Sequence, residues 1–162
     1  MKVNKAGGVD GLNSTYLIEL AEVITKPLTL IFKESLATGD IPEDWKMANV
    51  TPSFKKGSKK KAENYRPISL TSNSCKILEK FITKELVEHL KTNRLINDSQ
   101  HGFLKNKSCL SNFLKFCERV SEYLDAGTPV DVVYLDFKKA FDKIPHETLG
   151  VKLLEHGIGE NV

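Results

Sequence analysis

Apolar residues recur at three- and four-residue intervals between residues 14 and 38, the spacing typical of an amphipathic helix. Pro27 lies inside this stretch. Because a proline ring clashes with the preceding helical turn, we expect a second helix to begin at Pro27 or the first helix to kink there. Gly39 is expected to end the stretch, since glycine readily adopts the left-handed conformation of a helix end.

Three further helices are predicted from the same spacing. The first covers 74–92, and the second begins after Ser108, a predicted N-cap, and ends before Gly127. The third runs from Pro145 through His156, because proline favours the first turn of a helix and a glycine follows.

Two other stretches have the two-residue alternation or the β-branched composition of strands. Residues 47–54 alternate, and Pro52 places them at a sheet edge; with a short strand over 67–71 they predict a hairpin whose tip is basic. Residues 130–136 are β-branched and predict a central strand that ends in an acid. Helices mixed with an antiparallel sheet make the predicted fold class α+β.

Composition adds limits rather than an identity. The chain has 162 residues, 40% of them apolar, which suits one domain with a hydrophobic core. It contains no apolar run of about 18 residues and no signal-peptide core, so we expect no membrane span. The three cysteines lack paired zinc spacing, and we interpret them as buried thiols in an intracellular, reducing compartment, without disulfides. The sequence does not separate nucleus from cytoplasm.

Charge is more informative in its distribution than in its sum. The net charge is only +3, but five of the seven residues 55–61 are lysines. Asp136, at the end of the predicted central strand, is the strongest candidate for chemistry. A carboxylate there could bind one of the two metal ions used in phosphoryl transfer, or it could cap a strand-to-helix turn. Spacing alone leaves both interpretations open.

Several motifs together resemble one family. The segment Tyr134–Asp142 resembles the first palm motif of reverse transcriptases of non-LTR (LINE, jockey/CR1-like) retrotransposons. Other stretches match the same family in the same order: the lead-in Lys5–Gly11, Pro42–Lys46, Pro52–Gly57, Asn64–Ser72, Gln100–Phe103 and Pro145–His146.

The resemblance implies part of a right-hand polymerase. Residues 1–13 would be a lead-in and 14–162 a partial reverse transcriptase domain, with the fingers over roughly 14–127 and the first palm motif and following helix over 128–162. The implied activity is RNA-directed DNA synthesis with Mg²⁺. The implied partners are an RNA template, a DNA primer and deoxynucleoside triphosphates.

The resemblance also implies roles for palm residues. Asp136 would be the catalytic, metal-binding carboxylate, and the carbonyl of Phe137 a further metal ligand. Lys139 and Ala140 would offer backbone N–H groups to the triphosphate. Phe141 would exclude a 2′-hydroxyl; the alternative is a core aromatic.

In the fingers, the resemblance makes Arg66 a triphosphate ligand, because guanidinium groups match phosphate oxygens, and Lys55 a second one. The alternatives are a surface ion pair for Arg66 and a solvated loop for the lysines. Contacts to the template or other nucleic acid are implied for Lys56, Lys59, Lys60, Lys61, Gln100, Gly102, Phe103, Lys105 and Lys107. The last two stand near a position where the family often has arginine.

One family motif is missing. The second catalytic segment contains two adjacent aspartates, and no such pair occurs in this sequence. We therefore expect the isolated chain to be inactive and the exposed central strand to promote self-association. Three alternatives stay open: a truncated RNA-directed DNA polymerase, a non-catalytic nucleic-acid-binding relic, and a pseudogene product.

Overall fold

The computed structural model describes residues 7–137, 141 and 143–159. Helices and strands in chain order are α1 (Ser14–Glu19), α2 (Ala21–Thr38), α3 (Glu43–Lys46), β1 (Ala48–Phe54), β2 (Tyr65–Thr71), α4 (Asn73–Thr92), α5 (Cys109–Asp125) and α6 (His146–Glu155). A 3-10 turn, Ala62–Asn64, precedes β2. The predicted α+β class is confirmed. The short α3 and the 3-10 turn were not predicted.

The first helical stretch breaks at Leu20, not at Pro27. The prediction of a second helix starting at Pro27 is therefore wrong, since Pro27 lies within α2. Proline removes one helical N–H, here the partner of the Val23 carbonyl. Because Val23 is 73% exposed, water can solvate that carbonyl, and the helix tolerates the proline. Gly39 ends α2 with φ +76°, as predicted.

The remaining helix boundaries follow local capping. Ser108 caps α5 through a capping box, in which its hydroxyl accepts from Ser111 N and its own N–H donates to Ser111 Oγ. The expected starts and ends of α4, α5 and α6 agree with the structure to within one or two residues.

Strands β1 and β2 form the predicted antiparallel hairpin, in register from Ala48 opposite Thr71 to Phe54 opposite Tyr65. The phase of its ladder is set next to the loop, where Lys55 N donates to Asn64 O at 2.8 Å. Hydrogen-bonded and non-hydrogen-bonded pairs alternate from that point. The pair Phe54–Tyr65 is therefore non-hydrogen-bonded, as is the pair Pro52–Pro67, two residues further along.

The predicted central strand over 130–136 is not formed. Among the described residues the sheet contains β1 and β2 alone. Val133, Tyr134 and Leu135 are 78%, 84% and 83% exposed. A β-branched segment becomes a strand only when its backbone pairs with a neighbour, and none of the described segments pairs with this one. Self-association through this segment stays a prediction.

The chain divides into two compact units. The first comprises the described residues up to Val87 with Ile158 and Gly159, and the second is Glu88–Gly157. Buried apolar side chains among the described residues are few: Leu17, Leu78 and Ile158. The hydrophobic core that the chain length allows is therefore small in the described part of the chain.

The interpretation of the cysteines as buried thiols is also wrong. Cys109 is exposed, Cys75 and Cys117 are half-buried, and all three are free. A helical side chain is buried only when a second element packs over it, and few side chains of the described part are covered in that way. Within the described ranges no helix is long and apolar enough to cross a membrane.

Candidate nucleic-acid interface

The lysine-rich loop between β1 and β2 is ordered by neutral side chains. The amide of Asn64 donates to Ser58 O at 2.8 Å, and the hydroxyl of Tyr65 donates to Lys59 O at 2.9 Å. Gly57 has φ +87°, and a Cβ there would lie 2.8 Å from the Asn64 amide nitrogen. Glycine is therefore required at this turn. The loop holds its backbone without using the lysine charges.

Almost all of the lysines in this loop lack a nearby carboxylate among the described residues. Among ion pairs between described residues, Lys61 lies 3.6 Å from Glu63, both well exposed, and the other four lysines of 55–61 have no acidic partner within 4 Å. Exposed pairs of this kind contribute little. The loop therefore presents a concentrated positive charge to solvent.

The hairpin register divides the predicted ligands between two faces. Directly opposed residues of an antiparallel pair lie on the same face, and successive residues alternate. Arg66, opposite Ser53, shares its face with Ile68 and Thr51. Phe54 and Tyr65 lie on the other face.

The face that carries Phe54 and Tyr65 is continuous with part of the lysine loop. The rings of Phe54 and Tyr65 meet edge to face at 5.5 Å, and Lys59 Nζ lies 5.7 Å from the Phe54 centroid, within cation–π range. A groove of about 570 Å³ opens on this face. It is lined by Val50, Pro52, Lys59, Lys60, Ala62, Tyr65 and Pro67. The surface combines cations with aromatic and apolar rings.

Arg66 is exposed on the opposite face, and no ion pair or side-chain hydrogen bond involves it within the described ranges. The structure therefore does not support the alternative that Arg66 forms a surface ion pair, because no described acidic residue lies close enough. Lys55 lies at the junction of β1 and the loop, where its N–H is bonded to Asn64 O. Lys56 follows it, also exposed.

The described part of the lead-in, residues 7–13, forms a loop that packs against the other end of β2, a contact that sequence reasoning missed. Asp10 accepts a 2.6 Å hydrogen bond from Ser72 Oγ, and Asn73 Nδ2 donates to Leu12 O at 2.8 Å. Gly8 lies so close to the strand end that a Cβ would be 2.5 Å from Ser72 N. The paired glycines of the lead-in motif were the available signal.

The residues that the resemblance assigns to the first palm motif are exposed where the structure describes them. Asp136 is exposed, and Phe137 and Phe141 are 80% and 79% exposed. The alternative of Phe141 as a core aromatic is therefore wrong. Lys139 and Ala140 lie outside the described residues, as does Asp142.

Residues from two predicted motifs meet in the second unit. The rings of Phe103 and Phe141 lie 6.4 Å apart, edge to face. Phe103 is 91% exposed and has φ +61°, a left-handed conformation that is uncommon for a bulky residue. Gln100 Nε2 donates to Gly102 O at 3.0 Å, which shapes the turn before Phe103.

Two lysines follow that turn. Lys107 Nζ donates to Asp98 O at 3.3 Å, whereas Lys105 is exposed and has no ion-pair partner within the described ranges.

His101 is the buried polar centre of this loop. Its Nδ1 lies 2.9 Å from Ser111 Oγ, the residue that completes the α5 capping box. Burial, with the nearby charges of Lys107 and Lys115, lowers the pKa of His101 below its usual 6.5. The ring is therefore neutral at physiological pH and tethers the loop to α5. This geometry gives it a structural role.

The donor side chains of the described residues do not make up a complete metal centre. Within the described ranges no group of three or more His, Cys, Asp or Glu is placed to hold a metal ion. Asp136 offers one carboxylate, whereas a pair of metal ions needs several.

Comparisons with known proteins agree with the motifs. A family model described as reverse transcriptase (RNA-dependent DNA polymerase) matches residues 55–161. The probable RNA-directed DNA polymerase from transposon BS of Drosophila melanogaster is 28% identical over 92% of this chain and 17% of that protein. The RNA-directed DNA polymerase from mobile element jockey of the same species is 27% identical over 92% of this chain and 16% of its own length. The Pol polyprotein from retrotransposable element R2 of Popillia japonica is 27% identical over 77% of this chain and 17% of its own length. The chain thus spans about a sixth of the length of these relatives.

Proposed function

Because the chain belongs to the reverse transcriptase (RNA-dependent DNA polymerase) family, we propose that it is the nucleotide- and template-binding part of a retrotransposon RNA-directed DNA polymerase. In this proposal residues 14–127 form the fingers and 128–162 begin the palm. The partners are an RNA template, a DNA primer and deoxynucleoside triphosphates. The family generally uses divalent metal ions such as Mg²⁺.

The single observation that carries the proposal is the division of the hairpin into two faces. Arg66 stands exposed on one face without an acidic partner among the described residues. It has the fork geometry to bind the triphosphate, with Lys55 beside the loop as a second cation. Lys59, Lys60 and Tyr65 line the other face, where bases stack on aromatic rings and lysines neutralise phosphates. Lys56 and Lys61 extend this positive surface.

In the palm, we propose Asp136 and the Phe137 carbonyl as metal ligands and the Lys139 and Ala140 N–H groups as triphosphate donors. Phe141 would then discriminate against a 2′-hydroxyl. Its contact with Phe103 supports a place at the edge of the nucleotide site, because it joins the two family motifs. The remaining carboxylates would come from outside the described residues.

The hairpin proposal is tested by measuring how substitutions on each face change the affinity for a triphosphate and for RNA. We would titrate the 162-residue chain with a fluorescent triphosphate and, separately, with a single-stranded RNA 20-mer. Arg66→Ala should weaken triphosphate binding about 10-fold or more, since a hydrogen bond to a charged group is worth roughly 1.5–3 kcal/mol. It should leave RNA binding nearly unchanged. Arg66→Lys should recover part of the loss, because the charge remains without the fork.

The double variant Lys59→Ala/Lys60→Ala should show the opposite pattern. RNA binding should weaken, and the slope of log K against log salt should fall by roughly 0.7 for each phosphate that is no longer neutralised. Lys80→Ala, an exposed lysine on α4 without an ion pair in the described ranges, is the matched control. If both hairpin variants reduced the affinity for both ligands equally, the proposal that each face binds a different ligand would be wrong.

A non-catalytic nucleic-acid-binding protein is the second candidate. The observation in its favour is the absence of a three-ligand metal group among the described residues. The triphosphate titration separates the two, because only the polymerase fragment would bind a triphosphate through Arg66. In a primer-extension assay with Mg²⁺ we propose that the purified chain adds no nucleotide in either case. Incorporation that Asp136→Ala abolishes would instead show a working active site.

A further inference from the structure

The second unit contains a groove of about 640 Å³ at the end of α4, away from the lysine loop in sequence. The lining residues that matter here come from the last turn of α4 and the loop that follows: Lys91, Arg94, Ile96, Asp98, Leu104 and Lys107. Ile96 and Leu104 are half-buried, whereas the charged residues are exposed. The groove therefore has an apolar floor and charged walls.

Helix α4 ends in a Schellman motif with an unusual residue. Leu95 N donates to Leu90 O at 2.8 Å, and Arg94 N donates to Lys91 O at 3.0 Å. In this motif the residue that corresponds to Arg94 is left-handed and is normally glycine, because a Cβ there is strained. Arg94 adopts φ +54°. A non-glycine residue held in this conformation is a reason to look for function.

Arg94 is placed among cations. Lys91 and Lys107 line the same groove, and Asp98 is the one acidic lining residue. The carbonyl of Asp98 accepts from both Lys107 Nζ and Lys115 Nζ, at 3.3 and 3.2 Å, which brings a further ammonium group to the site. None of these cations forms an ion pair within the described ranges. The lowered pKa of nearby His101 is consistent with this positive potential.

We propose that the groove formed by Lys91, Arg94 and Lys107 binds the phosphodiester backbone of a single-stranded nucleic acid. This goes beyond the function proposed for the hairpin, because Lys91 and Arg94 belong to none of the recognised motifs. A guanidinium binds a phosphate through two parallel hydrogen bonds, and the two ammonium groups bind the neighbouring charges. The apolar floor leaves space for a sugar or base to pack.

The strained backbone makes a sharp test possible. Arg94→Gly removes the charge but supplies the residue that the Schellman motif prefers. We expect its Tm to equal or exceed that of the wild type. Its affinity for a fluorescent oligo(U) 20-mer should nevertheless fall about 3- to 10-fold, with the salt slope reduced by roughly 0.7. Arg94→Lys keeps both charge and strain and should retain the wild-type slope.

Two controls separate this groove from the hairpin. Arg119→Ala removes an exposed arginine of α5 that does not line the groove, and it should change neither slope nor affinity. Arg94→Gly is also made in the Lys59→Ala/Lys60→Ala background. If the groove is an independent contact, the same 3- to 10-fold loss is seen in both backgrounds, even if the hairpin proposal fails.

Three outcomes would overturn the inference. The first is an Arg94→Gly variant that binds oligo(U) like the wild type. The second is a variant with a clearly lowered Tm, which would make Arg94 a structural cap. The third is displacement of oligo(U) from the groove by inorganic phosphate at comparable concentration, which would make the groove a site for a free anion only. An oligo(dT) 20-mer run in parallel should lose affinity similarly, because the contact is to phosphate.

Discussion

Substituting Gly8 by alanine tests how tightly the lead-in loop fastens the end of β2. The added Cβ would lie 2.5 Å from Ser72 N and from Thr71 C, whereas ordinary contacts begin near 3.4 Å. Both nearest atoms are backbone, so neither can rotate away. The loop and the strand must therefore separate by about 0.9 Å, the difference between the two distances.

That separation would break two hydrogen bonds. The Ser72–Asp10 bond would lengthen from 2.6 Å to roughly 3.5 Å, and the Asn73–Leu12 bond starts at 2.8 Å. A bond to a carboxylate contributes about 1.5–3 kcal/mol and a neutral one about 0.5–1.5 kcal/mol. We expect Gly8→Ala to lower the free energy of unfolding by about 2–4 kcal/mol, which for a chain of this size lowers Tm by roughly 5–15 °C.

Thermal unfolding followed by circular dichroism measures this, and the chain offers two matched controls. A Cβ added at Gly11 would have no atom within 4 Å, but Gly11 has φ +66°. Gly11→Ala should therefore lower the free energy of unfolding by only about 1 kcal/mol. Gly150→Ala, inside α6 with open space around it, should stabilise by about 0.5–1 kcal/mol. If Gly8→Ala unfolds no earlier than Gly11→Ala, the lead-in loop does not pack as closely as the structure indicates.

Three other perturbations follow from local geometry. Ser108→Ala removes the α5 cap and should cost about 0.5–2 kcal/mol in urea unfolding; an unchanged midpoint would contradict the capping box. Burial and the Glu79 carboxylate raise the pKa of Cys75 from 9.0 to about 11. Iodoacetamide near neutral pH should therefore label exposed Cys109 first, as peptide mapping can show. Because the folded-state pKa of Cys75 is raised, its contribution to stability is present below pH 9 and is lost as pH rises toward about 11. The pKa of His101 is lowered, so its contribution is present above pH 6.5 and is lost as pH falls. His101→Gln should flatten the loss of Tm on acidification, and an equally steep loss would contradict this.

Local signals in the sequence predicted local structure well. The alternation of residues correctly predicted the β1–β2 hairpin, and Ser108 and Gly39 correctly predicted helix ends. Caps and turns can be predicted in this way because they depend on a few neighbouring residues. The strand expected over 130–136 is not formed, because a central strand needs partner strands from elsewhere in the chain. A β-branched composition does not supply such partners.

The candidate site shows the same division. Motif resemblance predicted roles for Arg66 and the loop lysines, but the register places Arg66 on one face, and the groove beside Tyr65 places Lys59 and Lys60 on the other. Arg94 had no recognisable signal in the sequence, and Gly8 was marked only as one of the paired glycines of the lead-in motif. The importance of Gly8 arises from a close backbone approach, and that of Arg94 from a left-handed φ. Both are properties of three-dimensional geometry, which spacing along the chain does not encode.

The facing prolines of the hairpin, Pro52 and Pro67, have a consequence for solubility. At a non-hydrogen-bonded pair the backbone groups point outward, toward the two free edges of the ribbon. Proline has no N–H, so each edge lacks a donor at the same level. A third strand that approached from either side would lose a ladder bond there. The hairpin can thus keep both faces exposed to solvent while resisting the growth of its sheet by recruitment of other chains.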